Sequence, residues 1–382
     1  MGQRMKEISY NNNIKILAVT NVPVPYRVEF FNDINKFMPI TVLYEQTPEE
    51  QTHRSTEWFS ENKQQFEYLY LKDGRKHVKV GKVLYELKNR KYNIALIMGY
   101  TKRSEMISIL WLRLHKKPYI LSVDGGFPKA KENFIKKLGK RFYIAGATAY
   151  LSTGETTDEY LSYYGADKGR IYRIPFTSLR EKDILTTPVP PETKKNLREE
   201  LGINESSVIV SVGQLIHRKG FDVLLNSCKG LRKNIGIYII GSNPTEEYIK
   251  IKEKEKLDNV HFVGFKKKEE LKKYYSAADL FVLPTREDIW GLVINEAMAY
   301  GLPIITTDKC IAGLELVDSD NGAIVPAENS DALRDSILSI ISDKDKLQSM
   351  SVESIKRIKN YTIEKMAKVH TSVFRKICEE LL

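Results

Sequence analysis

The segment Leu283 to Asp308, LPTREDIWGLVINEAMAYGLPIITTD, decides how the rest of this 382-residue chain is read. A short apolar strand ends at Pro284, an acidic loop follows, and Gly291 opens a helix. That helix carries Glu296 one to two turns in and stops near Gly301-Leu302-Pro303, before a second apolar run, Ile304 to Thr307. Strand, loop, helix and strand in so short a span read as one unit of a parallel sheet. Amides at a helix start lack intrahelical partners, and Gly291 has no side chain to obstruct approach. The turn at Gly291 and Leu292 therefore suits a diphosphate. Glu296 then lies where a carboxylate can accept hydrogen bonds from a ribose diol.

The same alternation extends in both directions. Upstream, Ile14 to Thr20 (IKILAVT) reads as a buried strand feeding the loop Asn21 to Arg27, NVPVPYR. Val28 to Phe37 then reads as helix, Ile40 to Tyr44 as strand and Val80 to Arg90 as helix. Ile94 to Met98 follows as strand, Glu105 to His115 as helix, and Pro118 to Val123 as a strand ending at Asp124-Gly125-Gly126. A proline-rich break, Thr186 to Pro191, has the composition of an interdomain connection. Beyond it the pattern restarts with strands Val208 to Val212, Ile235 to Ile240, Val260 to Val263 and Leu280 to Pro284. Helices are expected at Phe221 to Lys229, Lys267 to Ala278 and Leu292 to Tyr300. Two consecutive α/β halves predict two Rossmann-like domains, residues 1–185 and 192–364, facing across a cleft beyond the carboxyl ends of their strands.

Composition narrows the classes. Hydrophobic residues make up 42% and charged ones 29%, which excludes wholesale disorder. The three cysteines, Cys228, Cys310 and Cys378, are widely spaced and signal neither a disulfide framework nor a zinc site. No apolar run approaches the ~18 residues of a membrane span, and Met1 to Asn13 is polar. A cytoplasmic protein is expected. The net charge of +11 is unevenly placed. Residues 1–180 hold 30 Lys plus Arg against 18 Asp plus Glu, and residues 181–382 hold 30 against 31. Within the first half, residues 72–140 hold 18 basic and 5 acidic residues.

The acidic pair Asp288 and Glu296, separated by seven residues, resembles the C-terminal signature of the family 4 glycosyltransferases, retaining enzymes of the GT-B fold. Val210 to Gly220, VSVGQLIHRKG, resembles the family's glycine, arginine, then lysine-glycine segment, with Gly213, Lys219 and Gly220 matching and Gln214 at the arginine position. Arg218, next to Lys219, is the candidate for the missing charge. Ile239-Ile240-Gly241 and Val260 to Phe265 resemble the segments that approach the nucleotide. The resemblance implies that Lys219 stabilises a leaving diphosphate and that Glu296, Gly291, Leu292, Gly213, Gln214, Gly241 and Phe265 surround the donor. Either Asp288 or its neighbour Glu287 touches the donor sugar. Asp124 lies about where relatives place a histidine near the reacting sugar. The last helix, about 365–382, would cross back onto the first domain.

The implied function is transfer of a sugar from a nucleotide-diphosphate sugar, with UDP the commonest carrier, to a glycan or lipid-linked glycan in cell-surface polysaccharide synthesis. No metal or other cofactor is signalled. Plainer readings stand beside these: Asp288 also suits a helix cap, Asp-Gly-Gly a simple turn, and residues 72–140 a solvated face. The functional reading of that basic stretch is contact with anionic lipid at the inner face of the cell membrane, through Asn133 to Phe142 (NFIKKLGKRF). A nucleotide-sugar epimerase of the same architecture is the alternative enzyme, and a basic nucleic-acid-binding protein the alternative class. Few aromatics interleave with the lysines and no nucleic-acid module appears, so no nucleic acid is expected.

Overall fold

The computed structural model describes residues 14–50, 63–72, 77–128 and 131–381. The polar leader Met1 to Asn13 lies outside the described residues, as do positions 73–76 and 129–130 of the basic stretch. The chain builds two parallel sheets in sequence. The first contains β1 (Ile16–Thr20), β2 (Ile40–Tyr44), β3 (Glu67–Tyr70), β4 (Ile94–Ile97), β5 (Tyr119–Ser122), β6 (Ala149–Ser152) and β7 (Ile171–Arg173), in the order β3-β2-β1-β4-β5-β6-β7. Its helices are α1 (Pro25–Phe37), α2 (Val80–Asn89), α3 (Arg103–Leu114), α4 (Phe134–Ile144) and α5 (Glu155–Tyr163).

After α6 (Pro191–Leu201), the second sheet runs β10-β9-β8-β11-β12-β13. Its strands are β8 (Ser207–Gly213), β9 (Ile235–Gly241), β10 (Val260–Gly264), β11 (Leu280–Leu283), β12 (Ile304–Thr307) and β13 (Gly322–Val325). Its helices are α7 (Phe221–Ser227), α8 (Glu246–Lys254), α9 (Lys268–Ala277), α10 (Leu292–Ala299), α11 (Ile311–Leu316), α12 (Ser330–Ile341) and α13 (Lys344–Ile358). The chain closes with α14 (Ile363–Glu380).

Strands β1, β4, β5, β6, β11 and β12 are buried along their whole length, as strands covered on both faces must be, which is why β1, β4, β5 and β11 read as mainly apolar runs. In each sheet the strand order reverses once, between β1 and β4 and between β8 and β11. A crevice opens beyond the carboxyl ends at such a reversal. The loops that follow these strands therefore face each other.

Two expected boundaries move. The helix expected from Val28 begins at Pro25, where a missing N–H costs nothing because the first helical amides have no intrahelical partner anyway. Pro191, placed in the proline-rich break, likewise occupies the first turn of α6. The break is anchored at its start, where the Leu185 amide donates to the Ala299 carbonyl at 3.0 Å.

The return crossing of α14 is fixed by packing and charge. Its His370 ring lies 4.6 Å from that of Phe30 on α1. Thr362 caps it by accepting from the Lys365 amide at 3.2 Å, and the Ile363 amide donates to the Leu179 carbonyl at 2.8 Å. Arg180 stands between the two helices, paired with Glu29 on α1 and with Asp33 and Glu364 at 3.0 Å each. Asp33 is buried. Replacing Arg180 by methionine leaves that carboxylate without its guanidinium partner, and the expected loss is about 2–3 kcal/mol, read as a lower midpoint in urea denaturation. An unchanged midpoint would show that the cluster does not hold the crossing.

Candidate functional site

A cleft of about 1200 Å³ runs between the two sheets and is lined from both domains. On the second-domain wall, Gly291 adopts a φ of +101°, which an L side chain resists, and a Cβ there would come 2.9 Å from the Cys310 sulfur. The glycine is thus required by the turn itself. No side chain caps α10 and its first turn has no acidic residue, so its opening amides carry unopposed positive character. Leu292 and Glu296 line the cleft from this helix.

Glu296 accepts from Tyr275 Oη at 3.1 Å and from Ser178 Oγ at 3.4 Å. Burial raises its pKa, and those two hydrogen bonds offset the rise only in part. Ser178 belongs to the segment leaving the first domain, so this carboxylate is shared across the cleft. Next to it, Asn295 donates to the Phe176 carbonyl at 3.2 Å and accepts from Trp290 Nε1 at 2.8 Å, which locks α10 to the same segment.

The acidic loop before α10 separates the two candidate carboxylates. Asp288 is buried and ion-paired with Lys219, with Arg218 3.6 Å away. Arg218 also donates to the Glu287 carbonyl at 2.6 Å. None of Asp288, Arg218 and Lys219 is among the residues lining the cleft, whereas Glu287 is exposed and lines it. The reason is local: the Asp288 amide and carbonyl are both tied to the β12–α11 connection, to Lys309 O at 2.8 Å and Ile311 N at 3.2 Å. The backbone is pinned there, which turns the Asp288 side chain inward and leaves its neighbour facing out.

Gly213 and Gly241 end β8 and β9 side by side, and a Cβ on Gly241 would fall 1.8 Å from the Gly213 carbonyl oxygen. They are close-approach glycines of the sheet. Gln214 and Phe265 line the cleft, the Phe265 ring 70% exposed.

On the first-domain wall, Asp124 pairs with Arg27 Nη2 at 2.5 Å. Arg27 Nη1 also donates to Thr20 Oγ1 at 2.7 Å. Burial alone would lower the Arg27 pKa, but Asp124, Tyr26 and Glu105 together more than offset it and the guanidinium stays charged. Glu105 is buried and accepts from the Thr101 and Lys102 amides at 3.0 and 2.9 Å. Burial pushes its carboxyl up to about 7, against the pull of those two amides and of Arg27. Tyr100 and Tyr160 meet hydroxyl to hydroxyl, and Lys140 joins them at the rim.

The walls touch where Gly125 meets Ile289: a Cβ at Gly125 would fall 2.0 Å from the Ile289 carbonyl oxygen. Sequence reasoning did not single out Arg27, Glu105, Tyr275 or Ser178. Arg27 alone left a local signal, a lone guanidinium in an otherwise apolar turn.

Residues 193–357 match the family described as glycosyl transferases group 1. A D-inositol 3-phosphate glycosyltransferase of Xylanimonas cellulosilytica is 29% identical over 224 residues, 54% of this chain and 51% of that protein. The amylovoran biosynthesis glycosyltransferase AmsK of Erwinia amylovora is 32% identical over 251 residues, 57% of this chain and 61% of that protein. The chain thus spans between about half and three-fifths of these curated relatives. Among solved structures, sucrose-phosphate synthase from Thermosynechococcus elongatus superposes with a TM-score of 0.74 at 18% identity, covering 96% of this chain and 100% of that one. Anabaena HepE in complex with UDP and glucose superposes with a TM-score of 0.71 at 15% identity, covering 96% and 99%. The shared architecture is the GT-B fold of two Rossmann-like domains around a cleft.

Two predictions follow from the geometry. Asp288→Asn removes the charge that holds Lys219 and should lower the thermal midpoint by several degrees, whereas Glu287→Gln, at an exposed position, should leave it within about a degree. Equal effects would mean that the two carboxylates share one environment. For Glu105, a folded-state pKa above the unfolded value means that the native state holds its proton longer. Stability should therefore fall as pH rises from about 4.5 to about 7, by on the order of 2–3 kcal/mol. Urea denaturation across that window should show the slope in the wild type and lose it in Glu105→Gln.

Proposed function

We propose that this chain, whose residues 193–357 match the group 1 glycosyl transferases, moves a sugar from a nucleotide-diphosphate sugar to a hydroxyl of a glycan or lipid-linked glycan acceptor. The observation that carries this reading is Glu296, a half-buried carboxylate facing the cleft beside the uncapped start of α10. A carboxylate and a set of open amides one to two turns apart fit the two ends of a nucleoside diphosphate, its ribose diol and its phosphates. Phe265 offers an exposed ring to the base on the same wall.

In this reading the leaving diphosphate is stabilised by the amides at Gly291 and Leu292, with Lys219 and Arg218 adding positive charge from behind the cleft wall. Asp288 positions Lys219 through their ion pair, and Glu287 reaches the donor sugar. Arg27 and Asp124, held together on the opposite wall, present charge and hydrogen-bonding groups to the acceptor. Helix amides and ammonium groups take up the charge that a metal ion would otherwise carry, so transfer is metal-independent. Retention at the anomeric carbon and membership of family 4 accord with the Asp288 and Glu296 spacing.

HepE's complex with UDP supports UDP as the carrier and a hexose as the transferred sugar. Amylovoran biosynthesis, the process named for AmsK, supports cell-surface polysaccharide as the product class. The relatives named above are glycosyltransferases, which does not favour an epimerase. Among the described residues no helix is long and apolar enough to cross a membrane. The basic first domain supports a peripheral position at the inner face of the cell membrane.

The test is binding followed by transfer. UDP and UDP-sugars should raise the thermal midpoint of the wild type. Glu296→Gln should weaken UDP binding by about tenfold in calorimetry, the worth of one or two charge-assisted hydrogen bonds. Unchanged affinity would remove Glu296 from the ribose. Nucleotide release that proceeds equally with and without acceptor would count against transfer.

A further inference from the structure

We propose that the outer face of α4 seats this chain on an anionic lipid surface, with the acceptor side of the cleft directly behind it. This rests on the transferase reading only for what the surface presents, a lipid-linked acceptor. Helix α4 has the sequence FIKKLGKRFYI, and Ile144 is its one buried residue. Phe134, Leu138 and Phe142 recur every four residues and so form one stripe, flanked by Ile135. They are 76%, 56%, 44% and, for Ile135, 77% exposed. Helices that pack into a domain bury such a stripe; this one turns it outward, and a contiguous apolar patch of that kind marks an interaction surface.

Charge selects the occupant. Lys136 and Arg141 are exposed on the same helix and Lys131 just before it, and α4 contains no acidic residue. The carboxylate nearest in the sequence, Glu132, is already engaged by Lys140 at 2.6 Å and by the Tyr164 hydroxyl at 2.5 Å. Arg113 of α3 lies over the Phe142 ring at 4.7 Å, so the end of α3 adjoins this face. There Leu114 is 71% exposed, followed by exposed Lys116 and Lys117. Apolar rings surrounded by ammonium and guanidinium groups match the boundary between acyl chains and anionic headgroups, whereas a protein groove for such a helix would require matching carboxylates for each cation.

The same helix reaches the cleft from its other side. Lys140 lines the cleft while Lys136 and Arg141 face outward. A surface held by α4 therefore lies within one helix width of the acceptor wall formed by Arg27, Asp124, Tyr100 and Tyr160.

The experiment uses the full chain and sedimentation with vesicles of phosphatidylglycerol and phosphatidylcholine in equal parts, against phosphatidylcholine alone. The wild type should sediment with the first and remain free of the second, and salt should release it. Phe134→Ser with Leu138→Ser, and separately Lys136→Glu with Arg141→Glu, should each weaken partitioning by about tenfold or more. All four positions are exposed, so the midpoint shift on adding UDP should match that of the wild type. Equal binding to both vesicle types, or undiminished binding by the serine variant, would overturn the proposal. So would a chain that ignores vesicles and instead forms a dimer that the serine variant abolishes. Vesicle binding by a wild type that UDP and UDP-sugars do not stabilise would leave the α4 surface standing and sink the donor reading instead.

Discussion

The whole arrangement depends on how one guanidinium handles three carboxylates. Arg180 stands where the chain leaves the first domain and meets Glu29 and Asp33 of α1 and Glu364 of α14. A helix that returns from the second domain needs a reason to stop against the first, and apolar packing alone is not directional. The Phe30 and His370 contact supplies area, and Arg180 supplies the register. Because Ser178 and Phe176 are only a few residues upstream, the same fixed segment also delivers the hydroxyl to Glu296 and the carbonyl to Asn295. The position of the cleft walls thus follows from the crossing.

The acidic groups at the cleft divide according to what shares their burial. Asp288 is buried with a lysine, so it is spent on structure. Glu296 is half-buried with two neutral hydroxyl donors, which leaves it with acceptor capacity and a raised pKa. A carboxylate in that condition gains most from a ligand that brings further hydroxyl donors, and a ribose diol is such a ligand. Glu105 is buried with backbone amides and stays close to its protonation midpoint near neutral pH. Three carboxylates in one fold therefore have three different roles, set by partners and not by residue type.

The central strands were legible in the sequence because a doubly covered parallel strand is mostly apolar, and β1, β4, β5, β8 and β11 have that form. The edge strand β3, EYLY, and the short β7, IYR, are half exposed and carry no such run. The reading likewise passed over β6, β13 and the amphipathic helices α12 and α13, which follow the last strong turn signal. For the site, the turn at Gly291 and the carboxylate at Glu296 were visible because one short segment contains both. Which of Glu287 and Asp288 faces the cleft was not visible, since it is decided by hydrogen bonds to Lys309 and Ile311, some twenty residues away. Arg27 and Asp124 are 97 positions apart and meet only through the sheet order.

The distribution of charge then has a physical sense. The second domain is nearly neutral although its wall suits an anion, because an anion site made from helix amides and a lysine already paired with Asp288 adds little net charge to the surface. The first domain holds the surplus, and α4 shows where part of it goes. On that helix Lys140 is tied to Glu132 and Tyr164 at the cleft, whereas Lys136 and Arg141 are exposed, as are Phe134 and Leu138. Paired cations cannot attract a surface, and exposed cations next to exposed rings can. A count of lysines along the sequence merges these two populations; the fold separates them by pairing and exposure, with the Phe134, Leu138 and Phe142 stripe on the side of the helix away from Lys140.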